Sequence, residues 1–195
     1  IGGFILIEVL LSQWRQREKK IELLSQIDPL TGLYNRRTLY GFLLNLIGKK
    51  YSKPALHSLI LLDLDFFKKI NDSCGHVMGD KVLVEASRVL KSMVREKDIV
   101  GRFGGEEFII ILANTSYKQT SLVAERCRKE LNNLVLHDDH QNKLVVTASF
   151  GVTHFDATTR DIDSILKEAD QALYHAKDSG RNQVCHYWDY KEQNV

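Results

Sequence analysis

The stretch RFGGEEFIIIL, residues 102 to 112, constrains the fold more than any other part of the chain. A Gly-Gly pair between two apolar runs reads as a two-residue hairpin turn, because glycine takes positive φ at both turn positions without steric cost. VGRF enters the turn and EFIIIL leaves it, so the sequence predicts an antiparallel pair with Gly104 and Gly105 at its tip. Glu106 and Glu107 then stand at the mouth of a buried strand, where carboxylates are costly unless something nearby favours negative charge.

A second apolar run, SLILLDLD (residues 58 to 65), ends in alternating acids and reads as a buried strand with a charged C-terminal end. Around these two features the chain alternates. DPLTGLYNRRTLYGFLLNLI gives a turn and then an amphipathic helix starting near Asn35, and GDKVLVEASRVLKSMV gives a helix before the hairpin. SYKQTSLVAERCRKELNNLV gives another helix, and KLVVTASFGVT a strand. Ile162, Ile165, Leu166, Ala169, Ala172, Leu173 and Ala176 trace one face of a last helix that stops at Gly180. The order strand, helix, strand, strand, helix, strand predicts an α+β fold with a ferredoxin-like βαββαβ core, a central and mostly antiparallel sheet flanked by helices. In that topology the first and third strands are antiparallel neighbours. Asp63 and Asp65 at the end of one are therefore expected beside Glu106 and Glu107 at the start of the other.

Carboxylates gathered this closely repel and have raised pKa values unless a cation holds them together. Oxygen-only ligands without histidine or thiolate point to Mg²⁺ or Mn²⁺ rather than zinc. The plainer reading is a set of solvated strand ends with some acids paired to Lys68, Lys69 or Arg102. Magnesium held by few carboxylates keeps positions open for water and substrate phosphates. DFFKKIND brings Lys68 to the turn after the strand, and AKDSGRN places Lys177 and Arg181 around a helix C-terminus, where their plainer role is to cap the helix dipole.

Charge and composition limit the alternatives. Lys+Arg 27 against Asp+Glu 25 gives a net charge of +2, so nucleic acid is not an expected partner. The three cysteines are widely spaced without a CxxC, which fits reduced thiols in a cytoplasmic compartment, and the seven histidines fall at no metal-ligand spacing. The opening IGGFILIEVLL falls well short of the ~20 residues that cross a bilayer and contains Glu8, so it cannot span by itself. The chain lacks an initial methionine and reads as a fragment whose start fits the cytoplasmic end of an inner-membrane helix or a link to an upstream sensor. Ile7, Trp14 and Ile21 recur by sevens with Leu10 and Leu24 beside them, the pattern of a short dimerising signal helix. The expected division is a signalling helix over 1–26, a catalytic domain over 27–190 and a tail over 191–195.

These motifs together resemble the GGDEF domain family of diguanylate cyclases, in its GGEEF form. DPLTGLYNRR resembles the family's opening motif, LDLDFFKKINDSCGHVMGD its metal and guanine segment, TASFGVT its later strand and ADQALYHAKDSGRNQV its closing motif. The resemblance covers about residues 26 to 186 and implies a nucleotidyl cyclase-like version of the core. It implies that Asp63, the carbonyl of Leu64 and Glu106 hold the metal, and that Glu107 is the other essential acid, leaving open which group takes the proton. It assigns guanine to Asn71 and Asp80, and it places Phe67 in the substrate site with Lys68, Lys177 and Arg181 on the phosphates. A carboxylate accepting from guanine N1–H and the exocyclic amine rejects adenine, whose N1 is an acceptor. REKD matches the family's RxxD product-inhibition motif, with Arg95 and Asp98 as an expected inhibitory site for cyclic di-GMP.

The reaction so implied is condensation of two GTP into cyclic di-GMP with release of two pyrophosphates, at the interface of a homodimer. The alternatives are a noncatalytic cyclic di-GMP receptor and a purine nucleotide cyclase acting within one molecule.

Overall fold

The computed structural model describes residues 26–47, 55–138, 140–156, 158–159 and 161–189, together with Glu8 and Trp14. The signalling helix expected over 1–26 and the tail over 191–195 lie outside the described residues, apart from Glu8, Trp14 and Gln26. Glu8 and Trp14 are helical and exposed. The described elements are β1 (Tyr34–Asn35), α1 (Arg36–Ile47), β2 (His57–Leu64), α2 (Phe67–Ser92), β3 (Ile99–Gly104), β4 (Glu107–Leu112), α3 (Tyr117–Asn132), β5 (Leu136–His137), β6 (Lys143–Leu144), β7 (Ala148–Phe155), α4 (Ile162–Asp178) and β8 (Val184–His186).

Every residue of β2 and β7 is buried, as befits strands covered on both faces. They sit side by side in a six-stranded sheet of order β1-β3-β4-β2-β7-β8, and β2 runs antiparallel to both β4 and β7. The inner four strands have the ferredoxin-like arrangement expected from the sequence. The edge strands β1 and β8, each parallel to its neighbour, extend it beyond that expectation. KLVVTASFGVT divides into β6, which pairs with β5 in a separate ribbon, and β7.

Strand alternation sorts the core into two halves. Ile60, Leu62, Leu64, Phe108, Ile110 and Leu112 pack with α2 and α3 on one face. Leu59, Leu61, Ile109 and Ile111 pack with Leu39 and Leu43 of α1 and with Ile165, Ala169 and Leu173 of α4 on the other.

Two local expectations are corrected. The hairpin tip is Gly105 and Glu106, one residue later than expected, because Gly104 still pairs with Glu107 across a register shift after Arg102. Only Gly105 of the glycine pair has positive φ, at 28°. The helix expected from Gly79 begins at Phe67 and bends at Gly75, whose φ of 80° and ψ of 162° interrupt the helical run. The three cysteines are free thiols, with Cys127 buried and the other two half-buried. Among the described residues no helix is long and apolar enough to cross a membrane.

Candidate functional site

The register of β2 against β4 sets Asp63 opposite Glu107. By alternation both belong to the face that α1 and α4 cover, and Lys177 near the end of α4 donates from Nζ to Asp63 Oδ2 at 2.9 Å. Burial raises the Asp63 carboxyl above its usual range. Lys177 opposes that shift, while Glu106 and Asp65 reinforce it. Glu107 is raised in the same way, first by burial and then by Asp63, with Asp170 and Glu106 adding and Lys177 opposing. Asp63, Glu106 and Glu107 thus lie in one another's field at one edge of the sheet. The backbone joins them too, since Leu64 N donates to the Glu106 carbonyl at 3.3 Å.

Asp65, expected as a fourth free carboxylate, is instead pinned. It is buried, and it accepts from Thr147 Oγ1 at 2.8 Å, Ser149 Oγ at 2.7 Å and Asn182 N at 3.0 Å. Its oxygens are occupied in joining β2 to β7 and to the loop after α4. Among the described residues no group of three or more His, Cys, Asp or Glu side chains could hold a metal ion. The expected set of two carboxylates, Asp63 and Glu106, with the Leu64 carbonyl is smaller than that. Its oxygen-only donors suit a hard divalent ion that takes its remaining ligands from water and phosphate.

The hairpin tip is held by a residue that the sequence reading treated only as an ion-pair partner. Arg102 donates from Nη2 and Nε to the Gly105 carbonyl at 2.7 and 3.0 Å, and from Nη1 to Asp28 Oδ1 at 3.3 Å. Asp28 also accepts from Thr31 N and Oγ1 at 2.9 and 2.7 Å. Burial pushes the Asp28 carboxyl up, but these bonds and Arg102 hold it below its ordinary value. The signal was the spacing DPLT, an acid three residues before a threonine that closes a turn on it.

Asn71 and Phe67 come together against Gly79. A Cβ at Gly79 would fall 1.9 Å from Asn71 Oδ1 and 3.2 Å from Phe67 Cζ, so only hydrogen fits there. The bend at Gly75 brings the two halves of α2 into this contact. Asn71 is half-buried and Asp80, one residue beyond Gly79, is exposed. Asp80 lies inside α2, past the bend at Gly75. Lys68 is exposed in the first turn of α2, and Arg181 is exposed in the loop after α4. Lys177, expected on phosphate, is engaged by Asp63 here.

Arg95 and Asp98 lie at the other end of the sheet. Asp98 is buried and accepts from Arg95 N at 2.9 Å, its own N donating to the Arg95 carbonyl at 2.9 Å. Both residues line a pocket of about 490 Å³ with Gln119, Leu122 and Arg126.

The family model of the diguanylate cyclase GGDEF domain matches residues 25–183. The chain belongs to the GGDEF family. Its GGDEF domain is 43% identical over 138 residues to Diguanylate cyclase A of Treponema denticola, across 71% of this chain and 37% of that protein. The chain spans less than half the length of the curated relatives it matches. Among solved structures, the diguanylate cyclase SiaD of Pseudomonas aeruginosa, in complex with its activator SiaC, superposes with a TM-score of 0.77 at 36% identity. That match covers 92% of this chain and 70% of SiaD. The coiled coil and GGDEF domain of DgcB from Caulobacter crescentus, in complex with c-di-GMP, gives a TM-score of 0.78 at 25% identity, over 92% of this chain and 94% of that one.

Proposed function

We propose that this GGDEF domain is a diguanylate cyclase that condenses two GTP into cyclic di-GMP. The observation that carries the reading is the cross-strand pair Asp63 and Glu107, both raised by burial, with Glu106 at the adjoining turn and Lys177 set among them. Each 3′-hydroxyl attacks the α-phosphorus of the other nucleotide. A P–O bond forms there as the bond to the bridging oxygen breaks, and pyrophosphate leaves. Asp63, Glu106 and the Leu64 carbonyl would hold Mg²⁺ or Mn²⁺, which supplies charge neutralisation at the phosphate oxygens and acidifies the hydroxyl.

Glu107, whose carboxyl is pushed up, has the affinity for a proton that the attacking hydroxyl must lose. Asn71 and Asp80 read the guanine edge, with Phe67 behind Asn71. Lys68, Lys177 and Arg181 bind the triphosphate, Lys177 exchanging Asp63 for phosphate when substrate enters. One such edge holds one GTP, so two domains must face each other. The helix over 1–26 would raise their effective concentration, and an upstream sensor would act through it. Arg95 and Asp98 would bind the product and inhibit. This activity places the domain in the cytoplasm.

The test is to incubate the chain with GTP and Mg²⁺ and separate the products by chromatography. Cyclic di-GMP with pyrophosphate is expected, at a rate per protomer that rises with protein concentration. Cyclic GMP, or unchanged GTP alongside tight cyclic di-GMP binding, would replace this reading with an intramolecular cyclase or a receptor.

A further inference from the structure

The two phenylalanines of DFFKK have opposite fates. Phe67 is buried at 7% exposure, whereas Phe66 is 57% exposed and sits in the left-handed region with φ 57°. An aromatic residue there is strained, and such strain persists only where the surroundings impose it. Exposure means that little packing rewards the ring, so its value must lie in what it meets on the outside.

What it meets is Arg181, whose guanidinium carbon lies 4.7 Å from the ring centroid. Arg181 is itself left-handed, with φ 63°, between Gly180 at 112° and Asn182 at 45°. This loop is fixed from several sides. Asn182 N donates to Asp65 Oδ2 at 3.0 Å, and Arg128 Nη1 donates to the Asn182 carbonyl and Oδ1 at 3.2 and 3.0 Å. Arg181 N donates to the Ala176 carbonyl at 3.0 Å. The backbone of Arg181 is thereby anchored to Asp65, two residues beyond Asp63. Its guanidinium makes no hydrogen bond or ion pair with the described residues, and the Phe66 ring is what it rests on. Lys69 Nζ approaches the same ring at 5.6 Å, also without a carboxylate partner among the described residues. One exposed ring therefore holds two unneutralised cations beside the acidic edge, an arrangement suited to a polyanion.

We infer that Phe66 is a positioning residue for the substrate's triphosphate, its ring holding the Arg181 guanidinium at the phosphate side of the carboxylate edge. The inference rests on the reading of this edge as a GTP site. A planar guanidinium stacked on a ring loses torsional freedom before the ligand arrives, so less is lost when it grips a phosphate.

The test measures equilibrium binding of 3′-deoxyguanosine triphosphate, which lacks the attacking hydroxyl, and of guanosine, both with Mg²⁺. Phe66→Leu should weaken the triphosphate about three- to fivefold, what a cation–ring contact is worth at an exposed site, and leave guanosine unchanged. Phe66→Tyr should restore binding. In an Arg181→Ala background, Phe66→Leu should cause no further loss. Wild-type affinity in Phe66→Leu, equal loss of guanosine, or the same fold-loss in the Arg181→Ala background each overturns the inference and leaves the functional reading intact. A wild-type chain that binds neither the triphosphate nor guanosine overturns the functional reading, and this inference with it.

Discussion

Glu107 holds a carboxylate in a half-buried place opposite another, and its raised pKa makes the charge a cost to folding. The unfolded chain loses the proton near the ordinary value of 4.5 and the folded chain only at higher pH, so the penalty is full above the folded pKa and vanishes below 4.5. Glu107→Gln should therefore abolish turnover yet raise the melting temperature at pH 7, each kcal/mol appearing as about 2–4 °C in a domain of this size. The gain should shrink as the pH approaches 4.5, which thermal denaturation across that range will report. Gly79 offers a second check. A methyl group there meets Asn71 Oδ1 at 1.9 Å, so Gly79→Ala should displace Asn71 and weaken GTP binding about tenfold or more, with a smaller effect on discrimination-free contacts such as pyrophosphate binding. The cost of charge at Glu107 was legible in the sequence, as a carboxylate at the mouth of a buried strand, but the Gly79 effect was not. The glycine's role depends on the side chain that lies against it.

At the scale of elements, the β3–β4 hairpin and the turn after residue 26 act as one unit through Arg102 and Asp28. Removing the guanidinium leaves the Gly105 carbonyl without two donors and the tip free to shift, and small misplacements at a reacting centre are costly. Arg102→Ala should lower turnover about tenfold or more and accelerate hydrogen exchange at the tip, while the far-ultraviolet circular dichroism stays native. Periodicity located this hairpin and all four main helices because buried faces repeat with the period of the element. It placed the tip one residue early, since two adjacent glycines do not say which of them must be left-handed. It also started α2 at Gly79. The segment from Phe67 is helical with Phe67 and Ile70 buried in the core, and the Gly75 bend conceals that continuity in the pattern.

At the scale of the whole molecule, a polar group far from the carboxylates sets the response to acid. His154 is buried on β7, with Nδ1 2.8 Å from Ser58 Oγ, and burial together with His186 depresses its pKa to about 4. The unfolded chain takes up that proton near 6.5, so this contribution to stability is complete above pH 6.5 and is lost as the pH falls towards 4. Melting temperature followed from pH 7 to 4 should fall for the wild type, and His154→Gln should flatten the curve whatever its own starting stability. The sequence by itself determined the α+β class, the strand order of the core and the meeting of Asp63 with the Glu106–Glu107 pair, because apolar period and chain order leave few ways to close such a sheet. Tertiary structure alone decided that Asp65 is a pin, that Arg102 holds the tip and that Phe66 carries Arg181. The Asp65 and Phe66 contacts, and the Arg102–Asp28 pair that anchors the tip, join residues far apart in the chain, whose partners no local pattern encodes.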